Sequence, residues 1–254
     1  MGMPRIGYHR LAPLLAICVA AASLASACAA APARARHLSF GCADGRRIAL
    51  TFDDGPNPPH TEQILNMLTT AGVHATFFDE GQAVEAHPAI ARDEIARGMA
   101  VGSHSYGHSP DLPAMSHAAF ADDLRRAEDA FVAALGAKPA IYRSPYGHTS
   151  AVMLEEERKR GYVSIGWDVD SEDWSDVSTD RIVSNVLDHA HPGAIVLMHD
   201  GGLGGGNPDR STTIAALPRI IDGLRQQGYT LVTVPEIAGI SATGDHVEAT
   251  CSAN

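Results

Sequence analysis

The stretch Ile48-Ala-Leu-Thr-Phe-Asp-Asp-Gly-Pro56 sets two adjacent carboxylates, Asp53 and Asp54, at the end of a run of strand character and directly before a Gly-Pro turn. Neighbouring side chains on an extended chain point in different directions, and two close like charges raise each other's proton affinity. The conflict resolves if one acid binds a cation and the other stays free. Asp-Asp-Gly-Pro by itself is more commonly a polar turn, so the reading depends on what else the chain brings. His104 and His108 bring a second signal, because a spacing of four on a helical turn puts both imidazoles on one side. With 13 histidines in the chain a chance pair is not rare, and an isolated pair is more often structural. Ser105 stands where a His-Glu-x-x-His metalloprotease carries its general base, so here the base must come from elsewhere. Taking Asp54 as third ligand gives two histidines and one carboxylate. Such a set leaves coordination positions for water and a substrate oxygen, as in a hydrolytic rather than a structural site.

Positioning these groups requires a scaffold, and the sequence reads as strands alternating with helices. Strands are expected at Ile48–Thr51, Ala75–Phe78, Ala100–Val101, Ala140–Tyr142, Tyr162–Trp167, Ala194–Met198 and Thr230–Val234. Helices are expected at His60–Ala71, Pro88–Arg97, Ser116–Leu135, Ala151–Arg160, Thr179–His189 and Thr212–Gln227. The chemically loaded clusters Asp53-Asp54, Ser103 to His108, Arg143 to Tyr146, Trp167 to Trp174 and His199-Asp200 each follow one of these strands. Parallel strands of a barrel bring their carboxyl ends to one face, so the five clusters would converge there. The glycine-rich run 201–206 lacks a Gly-Lys-Ser/Thr ending and reads as a rim loop, not a phosphate cradle.

Thr51-Phe-Asp-Asp-Gly-Pro56, His104-Ser-x-x-His108, Arg143-x-Pro-Tyr146, Asp170-x-x-Asp173-Trp174 and Leu197-Met-His199, in this order, resemble the polysaccharide deacetylases, carbohydrate esterase family 4 with the NodB homology domain. The likeness runs from about Cys42 to Val234 and is nearest in motif to secreted bacterial acetylxylan esterases and chitin deacetylases. It implies an α/β fold, a distorted, incomplete (β/α) barrel in a single domain. It also implies one divalent metal ion, Zn2+ or alternatively Co2+, held by Asp54, His104 and His108. Asp53 would be general base, Arg143 would orient it, His199 would be general acid and Asp173 would tune that acid. Tyr146 would offer a backbone N–H to the oxyanion, with Trp174 and Leu197 lining the acetyl pocket. The reaction implied is hydrolytic removal of acetyl groups from an acetylated carbohydrate, either N-acetylglucosamine of chitin or peptidoglycan or O-acetyl groups of xylan. Ser144 departs from the family, which more often has a second proline there, and Asp79-Glu80 is more acidic than expected and reads as a solvated rim. His148, His189 and His191 match no motif and read as structural or surface residues. The rivals are a catalytically silent glycan-binding cell-wall protein of the same fold and a metal-dependent phosphoesterase. The first is opposed by the intact motifs and the second by the lack of a second ligand set.

The 254 residues suffice for one large domain, and 45% hydrophobic content is ordinary for a globular chain. Arg5, His9 and Arg10 ahead of an apolar run from Leu11 to Leu24, ending in small residues, read as a signal peptide over 1–28. Ala25-Ser-Ala-Cys28 also resembles a lipoprotein box, and acylation of Cys28 would be the one route to a membrane. Residues 29–41 read as a short leader and 42–254 as the domain, secreted or in the cell envelope and expected to be a monomer. Export permits a disulfide between Cys42 and Cys251, with two free thiols the alternative. Loss of Arg5 and Arg10 with the signal takes the formal charge from −11 to −13, which argues against nucleic acid as a partner.

Overall fold

A computed structural model describes residues 1–2, 37–43, 45–202 and 209–240. The signal segment with Cys28, most of the glycine-rich run and Cys251 lie outside the described residues. In chain order the elements are β1 (His37–Leu38), β2 (Arg47–Gly55), α1 (His60–Ala71), β3 (Thr76–Asp79), α2 (Gly81–Ala86), α3 (Pro88–Ala96), β4 (Ala100–Ser103) and α4 (His117–Leu135). They continue with β5 (Ile141–Tyr142), α5 (Ala151–Lys159), β6 (Val163–Ile165), β7 (Val169–Asp170), α6 (Thr179–His189), β8 (Ile195–His199), α7 (Ser211–Gln226), β9 (Thr230–Leu231) and α8 (Val234–Ala238).

The strands form one parallel sheet in the order β1-β6-β5-β4-β3-β2-β8-β7, with β9 added to the start of β2. From β2 to β6 each strand lies beside its sequence neighbour, as crossover helices require. This is the expected incomplete (β/α) barrel, its strands parallel and its edges β1 and β7 not paired to each other. β2 is buried along almost its whole length because both its faces are covered. Alternation then sorts its side chains. Ile48, Leu50 and Phe52 face the helices, joining Ile64, Leu65 and Leu68 of α1 and Leu217, Ile220 and Leu224 of α7. Ala49 faces the other way, with Phe78, Ile141, Ile165, Ile195 and Ile237. Each such buried Leu, Ile or Phe side chain contributes roughly 1.5–3 kcal/mol relative to exposure. Thr51 and Asp53 share the Ala49 face by the same alternation, which turns Asp53 inward.

Local sequence explains the helix ends. Ser116 accepts the Ala119 N–H to start α4, and Gly136, at φ 82°, supplies the left-handed residue that ends it. Thr233 and Glu236 form a reciprocal capping box on α8.

Several expected boundaries move. Residues 37–41, placed in the leader, belong to the fold: β1 pairs with β6, and Phe40 bridges Ala194 while the Gly41 N–H bonds Gly193. This short segment therefore links β6 to the entrance of β8. The strand expected at Tyr162–Trp167 is shorter, and Val169–Asp170 forms a separate strand on the far edge of the sheet. The last strand ends at Leu231, because the capping residues Thr233 and Glu236 turn Val234 into a helix. Asp53 and Asp54 do not follow β2 but lie inside it.

Candidate metal centre and active site

At the end of β2 the ladder to β3 slips by one residue between Asp53 and Gly55, and Asp54 takes φ 74°. A non-glycine residue in this region is strained and persists only where its surroundings impose it. The bulge separates the two acids as the sequence requires. Asp53 stays in register with His199 of β8, while Asp54 is turned towards the loop after β4. That loop carries His104 and His108. They are not on a helix: Ser105 at φ 66° and His108 at φ 49° fold residues 104–108 into an irregular turn, and the Ser105 hydroxyl accepts the His108 N–H at 3.0 Å. The spacing of four brings the rings together through left-handed residues, not helical periodicity. Their centroids lie 5.1 Å apart.

Asp54 Oδ1 lies 3.3 Å from His104 Nε2 and 3.2 Å from His108 Nε2, all three side chains buried. His104 Nδ1 sits 2.8 Å from the Arg143 carbonyl, an acceptor, so this nitrogen carries the proton and Nε2 presents its lone pair. Asp54 Oδ1 is buried without a hydrogen-bond donor, aimed at two imidazole nitrogens. Its carboxyl is held well below the usual range: burial would raise it, but the adjacent His104 and His108 prevail, with His199 adding in the same sense. Two nitrogens and one oxygen within 4.8 Å of one another are a fitting donor set for a zinc-like divalent ion.

Asp53 is held from behind. Its Oδ1 accepts from Arg143 Nη1 at 2.7 Å, and its Oδ2 is 3.9 Å from His104 Nε2. Arg143 is fully buried, and its other donors go to Thr51 Oγ1, Ile165 O and Gly166 O, while its guanidinium lies 4.0 Å over Phe78. A buried cation with all three nitrogens hydrogen-bonded is a rigid strut for its carboxylate partner.

On the opposite flank, His199 ends β8. Its Nδ1 lies 2.7 Å from Asp173 Oδ1, its backbone N–H donates to Asp173 Oδ2 at 2.9 Å, and Thr213 donates to the same oxygen at 2.8 Å. Burial alone would lower the His199 pKa. The charge and hydrogen bond of Asp173 outweigh it and raise it to about 9, so the ring is protonated at neutral pH. Burial would raise the Asp173 carboxyl, but His199, Thr213 and Arg210 hold it down.

These groups open into one cavity of about 320 Å³, whose lining includes Asp53, Asp54, His104, His108 and His199. Leu197 and Trp174 form apolar wall, with Tyr146 and Trp167 beside them. Trp174 is exposed, yet its indole N–H bonds Asp170 Oδ1 at 3.2 Å, and the same oxygen accepts the Glu172 N–H, so the 170–174 turn fixes the ring. Tyr146 sits in a tight turn, Pro145–Gly147, at φ 59° and packs edge-on against His108 at 4.6 Å. Ser144 in place of proline leaves Arg143 and Tyr146 at the site.

Two features differ from the sequence reading. Asp79 and Glu80 are not a solvated rim but fully buried, and burial pushes Asp79 up to about 7 and Glu80 to about 9. Arg210, at the start of α7, lines the cavity and was not in any motif; its one sequence signal is a cation directly before a helix, where an anion or hydroxyl is preferred.

The polysaccharide deacetylase model matches residues 40–165. A chitooligosaccharide deacetylase of Rhizobium leguminosarum bv. trifolii is 38% identical over 203 residues, covering 76% of this chain and 92% of that one. This chain belongs to the polysaccharide deacetylase family. A solved peptidoglycan N-acetylglucosamine deacetylase, in complex with an N-oxidanyl-benzamide, superimposes with TM-score 0.74 at 32% identity over 79% of this chain and 92% of that one. A carbohydrate esterase family 4 pseudoenzyme from Bacillus anthracis gives 0.72 at 28% identity over 82% and 69%. The family thus contains both active and silent members, and the groups at the site must separate them.

Proposed function

We propose that this polysaccharide deacetylase removes acetyl groups from N-acetylglucosamine residues of a glycan, chitin-like or peptidoglycan, by hydrolysis. The observation that carries the reading is the placement of a strutted carboxylate, Asp53, and an Asp173-bound imidazole, His199, on neighbouring strands of one cavity beside the Asp54–His104–His108 cup. Bound in that cup, a divalent ion such as Zn2+ would polarise the acetyl carbonyl and acidify water.

The protein groups supply the rest. Asp53, fixed by Arg143, accepts a proton as water adds to the acetyl carbon. The Tyr146 backbone N–H, on its strained turn, serves the oxyanion. An amide nitrogen cannot depart as an anion, so the C–N bond breaks as His199 Nε2 gives up its proton, leaving acetate and a free amine. Asp173 keeps His199 charged for that step at neutral pH. Leu197 and Trp174 accept the acetyl methyl and disfavour longer acyl chains.

The relatives named above act on chitooligosaccharide and peptidoglycan, which supports an N-acetyl over an O-acetyl substrate. Export is supported by the segment 1–28 and by Cys42, which is disulfide-bonded. Cys251 is the partner we propose for it, with the enzyme a monomer acting outside the cytoplasm or in the envelope. Acetate release from chitooligosaccharide, peptidoglycan and acetylxylan by the metal-loaded enzyme tests the function. Release from the first two above the third is expected. Binding of a glycan with no acetate from any of them would instead assign this chain to the silent members.

A further inference from the structure

Arg210 is 3% exposed, and its guanidinium has three destinations. Nε donates to the Gly201 carbonyl at 2.6 Å, Nη1 to the Asp173 carbonyl at 3.4 Å, and Nη2 stands 4.0 Å from Asp54 Oδ2. Gly201 in turn donates its N–H to the Asp53 carbonyl at 3.2 Å. Its Cα lies so close to β2 that a Cβ would fall 1.7 Å from the Asp54 carbonyl oxygen. One buried cation therefore spans the seam behind both β2 acids and the turn that carries the partner of His199. Helix physics does not account for it. Arg210 is the N-cap of α7 and makes no cap bond from its side chain, and a positive charge there opposes the helix dipole.

We propose that Arg210 is a positioning residue for deacetylation, locking the Asp173 turn to the end of β8 and so setting the separation of His199 from Asp53 across the acetyl group. The inference rests on the reading of those two as acid and base. Arg143 braces Asp53 from one side; Arg210 braces the Asp173 side and sets a positive charge near both Asp54 and Asp173. Three donors in a fixed planar fork are needed, which an ammonium cannot supply. The strongest charge acting on His199 is that of Asp173, whose carboxyl Arg210 helps hold down, so loss of that cation leaves the Asp173 charge less offset and favours the imidazolium.

The test compares wild type, Arg210→Gln, Arg210→Lys and His199→Gln as full, metal-loaded chains on an N-acetylchitooligosaccharide. It reads kcat, KM and the pH profile, with metal content by elemental analysis and His199 titration by NMR in metal-free protein. Both Arg210 variants are expected to keep one ion and a KM within about threefold, with kcat down about tenfold or more. The alkaline limb and the NMR titration of His199 should move to higher pH in Arg210→Gln and stay in place in Arg210→Lys, which retains the charge but not the fork. Unchanged kcat in both variants would overturn the proposal, as would a rise in KM alone, which marks a substrate contact. A fall in kcat with no shift of the His199 titration in Arg210→Gln would reduce Arg210 to a structural prop and also overturn it. A wild-type alkaline limb identical to that of His199→Gln would overturn the acid assignment itself, an outcome distinct from failure of Arg210 alone.

Discussion

His199 is a stronger base in the fold than in the free residue, and its partners explain why. Its proton is held by Asp173, which is itself fixed by Thr213 and two bonds from His199. Activity that needs the imidazolium should fall as pH rises past the raised His199 value, which is about 9 in the metal-free fold and lower once a cation offsets Asp54. Asp173→Asn removes the charge that outweighs burial, so the alkaline limb should move down by one pH unit or more, with kcat at neutral pH reduced by about 10²-fold; an unmoved limb in the pH profile would contradict this. His104→Ala should abolish metal binding, since one of three ligands is gone. Five of the motif clusters were legible as chemistry in the sequence because their residue types are costly to bury without purpose. Arg210 was not, because its meaning depends on which carbonyls α7 brings within reach. Asp79 and Glu80 misled for the same reason: a pair of acids after a strand looks solvated until the rest of the fold buries it.

At the scale of elements, the site exists because β2 and β8 are pressed together and their ends are distorted in a particular way. Gly55 and Gly201 permit that contact: a Cβ on Gly55 would lie 2.3 Å from Asp200 Oδ2, and on Gly201 1.7 Å from a backbone oxygen. Gly201→Ala should lower stability by about 1–3 kcal/mol and reduce activity more than tenfold by shifting Asp54, as seen in denaturant melts and acetate release. Ser116→Ala, far from the site, should cost about 1 kcal/mol through loss of the α4 cap while leaving kcat unchanged. The periodic helices and buried strands were readable in sequence because hydrophobic spacing fixes them. The left-handed turns at Asp54, Ser105, His108 and Tyr146 were not, because nothing in the local propensity of these residues demands them; tertiary contacts impose the strain. The two-residue strands β1 and β7 are likewise set by their partners, being too short to show a period of two.

The whole molecule combines these buried charges into a dependence of stability on pH. Burial raises Asp79 and Glu157 to about 7 and Glu80 to about 9, with Glu94 and Asp200 also displaced upward. A carboxyl that keeps its proton in the folded state to higher pH than in the unfolded chain contributes stability that is full below the ordinary carboxylate range and is lost as pH rises towards the folded value. His199 adds in the same sense, its contribution fading as pH climbs through about 9. Asp54 and Asp173 act oppositely, losing theirs in strong acid. Chelated, metal-free protein should therefore melt highest in mild acid and progressively lower towards pH 9, and Glu80→Gln should flatten that slope; a melting temperature that climbs from pH 5 to 9 would contradict it. The central claim is the division of labour between two adjacent acids, and Asp53→Asn tests it most directly by metal content and acetate release on the same sample, held well below its melting temperature because Arg143 loses its counter-charge. One ion per chain with turnover reduced at least about 10²-fold is the predicted result; loss of the ion together with activity, or activity retained, would contradict it.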